Sequence, residues 1–226
     1  MGTITGRQIV DKAVKLLLDG GHVRWTLDEL LGWLNSGFTA IVEAKPTAYT
    51  RNRSIQLVMG TKQTLPVDAI SLVEISRNMG VNGATPGTAI TFIKKKILDQ
   101  SYPGWHGAIG TALARFFCSD ARDLKTFYVM PPSTGNNHVE AVYFAVPAPL
   151  VGADAETALN GVIPFDNSYE NTLIDYLLYR AFSKEGDAAG ADAKAGSYYT
   201  LFTNALGIKE KGELIGSPEA NNLQGE

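Results

Sequence analysis

Residues 163–207 read IPFDNSYENTLIDYLLYRAFSKEGDAAGADAKAGSYYTLFTNALG. Asn167 or Ser168 stands where a helix N-cap is favoured, and Glu170 falls in the first turn, where a carboxylate meets the positive end of the helix dipole. Leu173, Leu177, Arg180 and Ala181 then share one face at helical spacing, and Ile174, Leu178 and Phe182 widen it, so the helix is apolar over much of its circumference. A helix of that kind is buried in a bundle or set into an interface. The alanine- and glycine-rich run 186–196 follows and leads through Tyr198, Tyr199, Phe202, Ala205 and Leu206 to Gly207, a residue expected to stop the helix. The stretch predicts two close-packed helices whose apolar surface needs a partner.

Outward from this pair, the N-terminus is also helical. Ile9, Ala13, Leu16 and Leu17 recur at helical spacing after Thr5, a cap residue, and Gly20-Gly21 supply a stop. Thr26, followed by Asp28 and Glu29, opens a second helix whose stripe is Leu27, Leu30, Leu31, Leu34, Phe38, Ile41 and Val42, ending before Pro46. A short connection predicts that these two helices pack antiparallel on each other. Between them and the C-terminal pair, Gly and Pro punctuate short runs that favour strand: Ser54–Met59, Ser71–Ser76, Ala89–Ile93, Thr126–Met130 and Val139–Val146. The last two are separated by Pro131-Pro132-Ser133-Thr134-Gly135-Asn136-Asn137 and are expected to form a hairpin with a long polar tip. Residues 78–87 predict an exposed loop, 98–107 an irregular turn that plants Trp105 against the sheet, and 149–161 a linker. From Lys209 onward apolar content is low, which predicts disorder in the isolated subunit.

The expected fold class is therefore α+β: a helical bundle built from the N- and C-terminal helices, with an inserted small antiparallel β domain and a flexible C-terminal tail. The expected boundaries are 1–50 for the first helix pair, 51–150 for the β domain, 151–207 for the second pair and 208–226 for the tail. At 226 residues and 45% hydrophobic content the chain can bury an ample core. A net charge of −3 gives no global basic field for gripping nucleic acid. The single cysteine, Cys118, leaves no intrachain disulfide and no thiolate cluster for zinc. The first twenty residues scatter Arg7, Asp11, Lys12 and Lys15 among apolar positions, unlike a secretion signal, so the chain is expected to remain in the cytoplasm where it is made. The longest uncharged apolar stretches, such as 141–151, are too short for a bilayer span, and no membrane role is expected.

Three stretches resemble the head-to-tail adaptor (connector) family of bacteriophages, which includes proteins similar to the tail tubular protein A of short-tailed phages. They are HVRWTLDELLGWLNSGFTAIVEAKP at 22–46, ILDQSYPGWHG at 97–107, and the opening stretch at 163–207. They follow the family's order across most of the chain, and none is a catalytic signature. The resemblance implies a virion structural protein at the head–tail junction, made in the host cytoplasm and assembled with itself into a ring, commonly a dodecamer, beneath the portal protein. It further implies a platform for a tail nozzle or other tail protein, a lumen through which DNA passes with weak contacts, and no cofactor.

The candidate contact residues follow from these readings. Arg180 lies on an apolar face without a carboxylate on its helical row, so its partner is expected from another helix or subunit. Tyr176, Tyr199 and Phe202 fall in the last helix pair, while Lys209, Leu214 and Ile215 open the tail; all seven are expected interface residues. Lys94, Lys95 and Lys96, the one compact basic run, are the candidate DNA-facing residues, with a solvated strand end as the plainer alternative. His22, His106 and His138 lack metal-ligand spacing, Cys118 has no base beside it in sequence, and Gly80–Gly87 lacks the Gly-Lys-Ser/Thr of a phosphate loop, so no metal or catalytic site is expected. Two rivals to the connector remain: another tail-completion component built on the same bundle, and an enzyme with its site in the β domain.

Overall fold

A computed structural model describes residues 2–120, 122–186 and 188–216, without the side chains of 211–216. The chain is α+β and divides into a helical unit, 1–48 with 147–226, and a sheet unit, 49–146. In the helical unit, α1 (Gly6–Leu17) and α2 (Leu27–Ala44) both start from full capping boxes, Thr5 with Gln8 and Thr26 with Glu29. Each box satisfies two backbone groups that a helix start otherwise leaves open. Helix α1 stops earlier than its glycines suggest: Leu18 takes the left-handed conformation, φ 57°, and its N–H and that of Asp19 close on Lys15 and Val14. The Asp19 carboxylate then accepts the backbone N–H groups of Val23, Arg24 and Trp25, at 3.1, 3.0 and 3.0 Å, and fixes the turn into α2.

The opening stretch forms the centre of this unit. Asp166 caps a 3-10 turn, Asn167–Tyr169, that runs into α5 (Glu170–Lys184), and Leu173, Leu177 and Ala181 on α5 are fully buried. The expected α1–α2 pair is not the main packing: both helices lie chiefly against α5, which α6 (Ala191–Gly216) also covers. The broad apolar surface of α5 is thus used within the chain. Lys12 pairs with Glu170, and Lys184 with Glu29. Residues 149–161 are not a linker. They hold a short helix, α4 (Ala155–Leu159), and Leu150 exchanges hydrogen bonds with the Asn35 side chain at 2.8 and 3.2 Å. Gly207 does not end the last helix either, because α6 continues through it to Gly216; residues 217–226 of the expected tail lie outside the described residues.

The sheet unit holds two sheets where one was expected. The first runs β1 (Thr50–Gln56), β7 (His138–Ala145), β3 (Ala69–Asn78), all antiparallel. The second runs β2 (Gly60–Thr64), β6 (Asp123–Ser133), β5 (Phe116–Asp120), β4 (Thr91–Phe92), its β4–β5 pair parallel. The expected β6–β7 hairpin does not form, since these strands belong to different sheets and Pro131 and Pro132 lie within β6. Strand β7 alternates strictly, placing Val139, Ala141, Tyr143 and Ala145 in a core shared with Leu57, Ile75, Phe127 and Val129. On the edge strand β1, Arg51 and Arg53 stand opposite Tyr143 and Ala141, so charges occupy the inward face of an open edge and discourage stray strand pairing. The other face of β6, with Tyr128 and Met130, is covered by Leu98 of α3 (Lys95–Ser101) and by Trp105. Residues 98–107 are thus more regular than expected, while Trp105 is fully buried against the sheet as the sequence predicts.

Candidate functional site

The expected interface residues separate by depth. Tyr176 and Phe202 are buried between α5 and α6, with ring centroids 5.2 Å apart, and Gly37 of α2 leaves room for the Tyr176 ring, which would stand 3.0 Å from a Cβ there. Burial pushes the Tyr176 phenol above its ordinary pKa, and the neighbouring Arg180 guanidinium partly offsets this. Arg180 is half-buried and so meets a tyrosine of its own helix. Tyr199 is nearly half exposed and packs one edge on Tyr179, centroids 5.0 Å apart. Lys209 belongs to α6: its ammonium donates to the Ser168 carbonyl and lies 4.2 Å from the Tyr169 ring centroid. Leu214 and Ile215 are helical, with side chains outside the described residues.

The three lysines sit at the start of α3 rather than at a strand end. Lys94 precedes the first turn, Lys95 pairs with Asp99 at 3.0 Å and lies over Tyr128, and Lys96 is exposed. Lys95, Lys96, Asp99, Ser119, Asp120 and Arg122 line one open depression of about 310 Å³. Its carboxylates are already engaged. Arg122 holds Asp120 at a pKa of about 2, and the Trp105 indole N–H, helped by Lys95, lowers that of Asp99. Nearby Cys118 is buried, and burial pushes its thiol up to about 11, the state of a packing residue and not of a nucleophile. Among the described residues no group of three or more His, Cys, Asp or Glu could hold a metal, and no helix is long and apolar enough to cross a membrane.

Charge is divided between the units. The sheet unit carries ten Lys and Arg against six Asp and Glu, a net of +4, and the helical unit ten against seventeen, a net of −7. Within the sheet unit the charges avoid four stretches: residues 54–61, 78–93, 100–114 and 126–139 hold none, apart from His106 and His138. Parts of these stretches meet at the end of the unit opposite Tyr49 and Val146, where the chain enters and leaves it. Leu57 N–H donates to Asn137, Met79 N–H to His138, and Thr111 N–H to Pro132.

Buried polar side chains hold this end rigid. Asn78 donates to the Ala114 carbonyl at 2.8 Å and to Thr88, and accepts from the Ala114 N–H at 2.9 Å. Gln63 brackets Val58 and Gly60, Ser133 donates to Asn137 at 2.6 Å, and Thr61 meets His106 at 2.8 Å. In the sequence Ser133 and Asn137 fall in the expected polar hairpin tip and Asn78 at the start of an expected exposed loop, yet all three are buried; Thr61 and Gln63 gave no signal.

A comparison with curated proteins returns no match. One family model, described as SU10 adaptor protein, matches residues 4–221, a range that takes in both units and all three stretches noted in the sequence. The chain therefore belongs to the SU10 adaptor protein family and is a bacteriophage adaptor.

Proposed function

We propose that the protein is the structural connector of the head–tail junction, assembling into a ring of about a dozen copies under the portal, in a role like that of tail tubular protein A. The number of copies follows the family resemblance and not a physical count. The observation that carries this reading is the family match across residues 4–221, which leaves neither unit outside the adaptor pattern. Copies in a closed ring meet through two different surfaces, which removes free ends. On the helical unit, Arg180, Tyr199 and Lys209 supply the lateral contact, with Leu214 and Ile215 further along α6; Tyr176 and Phe202 act only by seating them. The lumen passes DNA, and Lys94, Lys95 and Lys96 supply weak phosphate contacts, which suit a duplex that must slide. The tail end of the ring receives the nozzle or another tail protein. Affinity comes from modest contacts repeated around an axis, and the protein performs no catalysis. Mixing the purified chain with the portal protein of the same virus and counting copies by electron microscopy tests this: a stoichiometric ring on the portal is expected, and a chain that stays monomeric beside intact portals would refute it.

A further inference from the structure

We infer that neighbouring copies of the chain meet helix to helix, the outer row of α6 in one copy lying on the outer row of α2 in the next. The proposal rests on the connector reading and names the surface that receives its α6 contact. Both helices lie against α5 on their apolar sides. Away from α5, each carries a row of small residues that is exposed or half-exposed. On α6 the row is Ala193, Ser197, Thr200, Asn204 and Gly207, with Gly196 and Thr203 beside it; on α2 it is Gly32, Ser36 and Thr39.

Three independent features fit both rows for burial. Residues 30–42 and 195–208 contain no charged residue, although the outer side of a helix in water is where charges ordinarily stand. The hydroxyls are turned back on their own helices: Ser36 donates to the Gly32 carbonyl, Ser197 to Ala193 and Thr200 to Gly196, each at 2.9 Å, and Thr203 to Thr200 at 3.1 Å. Covering them therefore breaks no hydrogen bond to the protein and leaves no hydroxyl without an acceptor. The glycines have no use within the chain, since a Cβ at Gly32, Gly196 or Gly207 meets nothing within 4 Å, while each weakens its helix relative to alanine. A second helix that comes close explains them, because the side chains at a contact set the distance between two helix axes.

Charge selects the pairing. A phosphate backbone requires cations, and neither row holds one between its ends. The α2 row is bounded by acids, the exposed Asp28 and Glu43, so two copies of it repel. The α6 row contains no acid, and its next position is Lys211. Setting α6 on α2 thus matches small residues with small residues and a cation with acids, while Leu201 and Ile208, 51 and 71% exposed beside the α6 row, cover one side of the contact. Each copy supplies both rows in equal number. Pairing unlike rows leaves one of each free for the next copy, the condition for a ring, whereas α6 on α6 closes as a dimer.

The test uses the full chain. Gly32→Leu blocks the α2 row, Gly196→Leu blocks the α6 row, and Gln100→Leu, exposed on α3, adds the same side chain elsewhere as control. Self-association is followed by sedimentation velocity, alone and with the purified portal protein of the same virus, beside unfolding in denaturant. Both blocked variants are expected to unfold no earlier than wild type, since leucine favours helix over glycine, and to assemble at least tenfold more weakly than wild type and the control. Ser36→Arg or Asn204→Arg replaces a leucine variant that unfolds early. In a second measurement a short bismaleimide is added to Gly32→Cys and Gly196→Cys copies, whose native Cys118 is buried. Links are expected when the two are mixed and not when either is alone. Blocked variants that assemble like wild type, a loss confined to portal binding, or links within Gly196→Cys alone overturn the helix pairing and leave the connector reading standing. A wild-type chain that assembles neither alone nor on the portal overturns both together.

Discussion

At the scale of single residues, two polar side chains do work that apolar packing cannot. Asn78 is buried and satisfies both backbone groups of Ala114 while reaching Thr88, so it ties the end of β3 to the segment that precedes β5. Asn78→Ala leaves a buried N–H and a buried carbonyl without partners and is expected to cost about 2–4 kcal/mol, read by chemical denaturation. A loss below about 0.5 kcal/mol would show that water replaces the side chain. Asp19 acts on the other unit. Three backbone N–H groups, led by that of Trp25, lower its pKa below the ordinary 3.8. A depressed carboxyl stabilises the fold fully above its unfolded pKa, and that stabilisation fades as pH falls through the lower folded value. Asp19→Ala is therefore expected to melt a few degrees below wild type at pH 7, with the gap closing as pH approaches 2. A gap that stays constant across that range would assign the loss to packing instead. Neither role is legible in sequence, because each depends on partners that only the fold brings near.

At the scale of elements, the sequence is clearest where the signal is local. The caps at Thr5 and Thr26 and the apolar stripe of α5 are written in adjacent turns, and the first two helices start where those caps put them, whereas α5 starts at Glu170 behind a 3-10 turn capped by Asp166 and not from an N-cap at Asn167 or Ser168. Strand partners depend on distant residues, so β6 and β7 look like a hairpin until their sheets are known. Strand β2 escapes because its inward residues, Thr61 and Gln63, are polar. Gly207 fails for another reason: glycine ends a helix only where the backbone turns left-handed, and here it continues as α6. A Cβ at that position meets nothing within 4 Å. Gly207→Ala should therefore stabilise the helical unit, by about 0.5–1 kcal/mol in denaturant unfolding. Destabilisation would mean that the glycine serves a contact made only in the assembled virion.

At the scale of the whole molecule, the net charge of −3 conceals the feature most useful for assembly. Composition suggests a protein indifferent to polyanions, yet the total is the sum of +4 on the sheet unit and −7 on the helical unit. The division was countable from the sequence, because the expected β-domain boundaries, 51–150, enclose the same charged residues as the observed 49–146. The candidate contacts sort in the same way: their positions along the chain were legible, and their depth was not, which is why Tyr176 and Phe202 turn inward while Tyr199 stays open. If copies meet in a ring through unlike surfaces, opposite charges on the two units draw neighbours together, and screening weakens that attraction once the Debye length falls from about 14 Å near 50 mM salt to about 4 Å near 500 mM. Assembly of the chain is accordingly expected to weaken by about tenfold or more over that interval, followed by sedimentation velocity. Assembly that strengthens with salt would instead place apolar surface, and not the charge division, at the contact between copies.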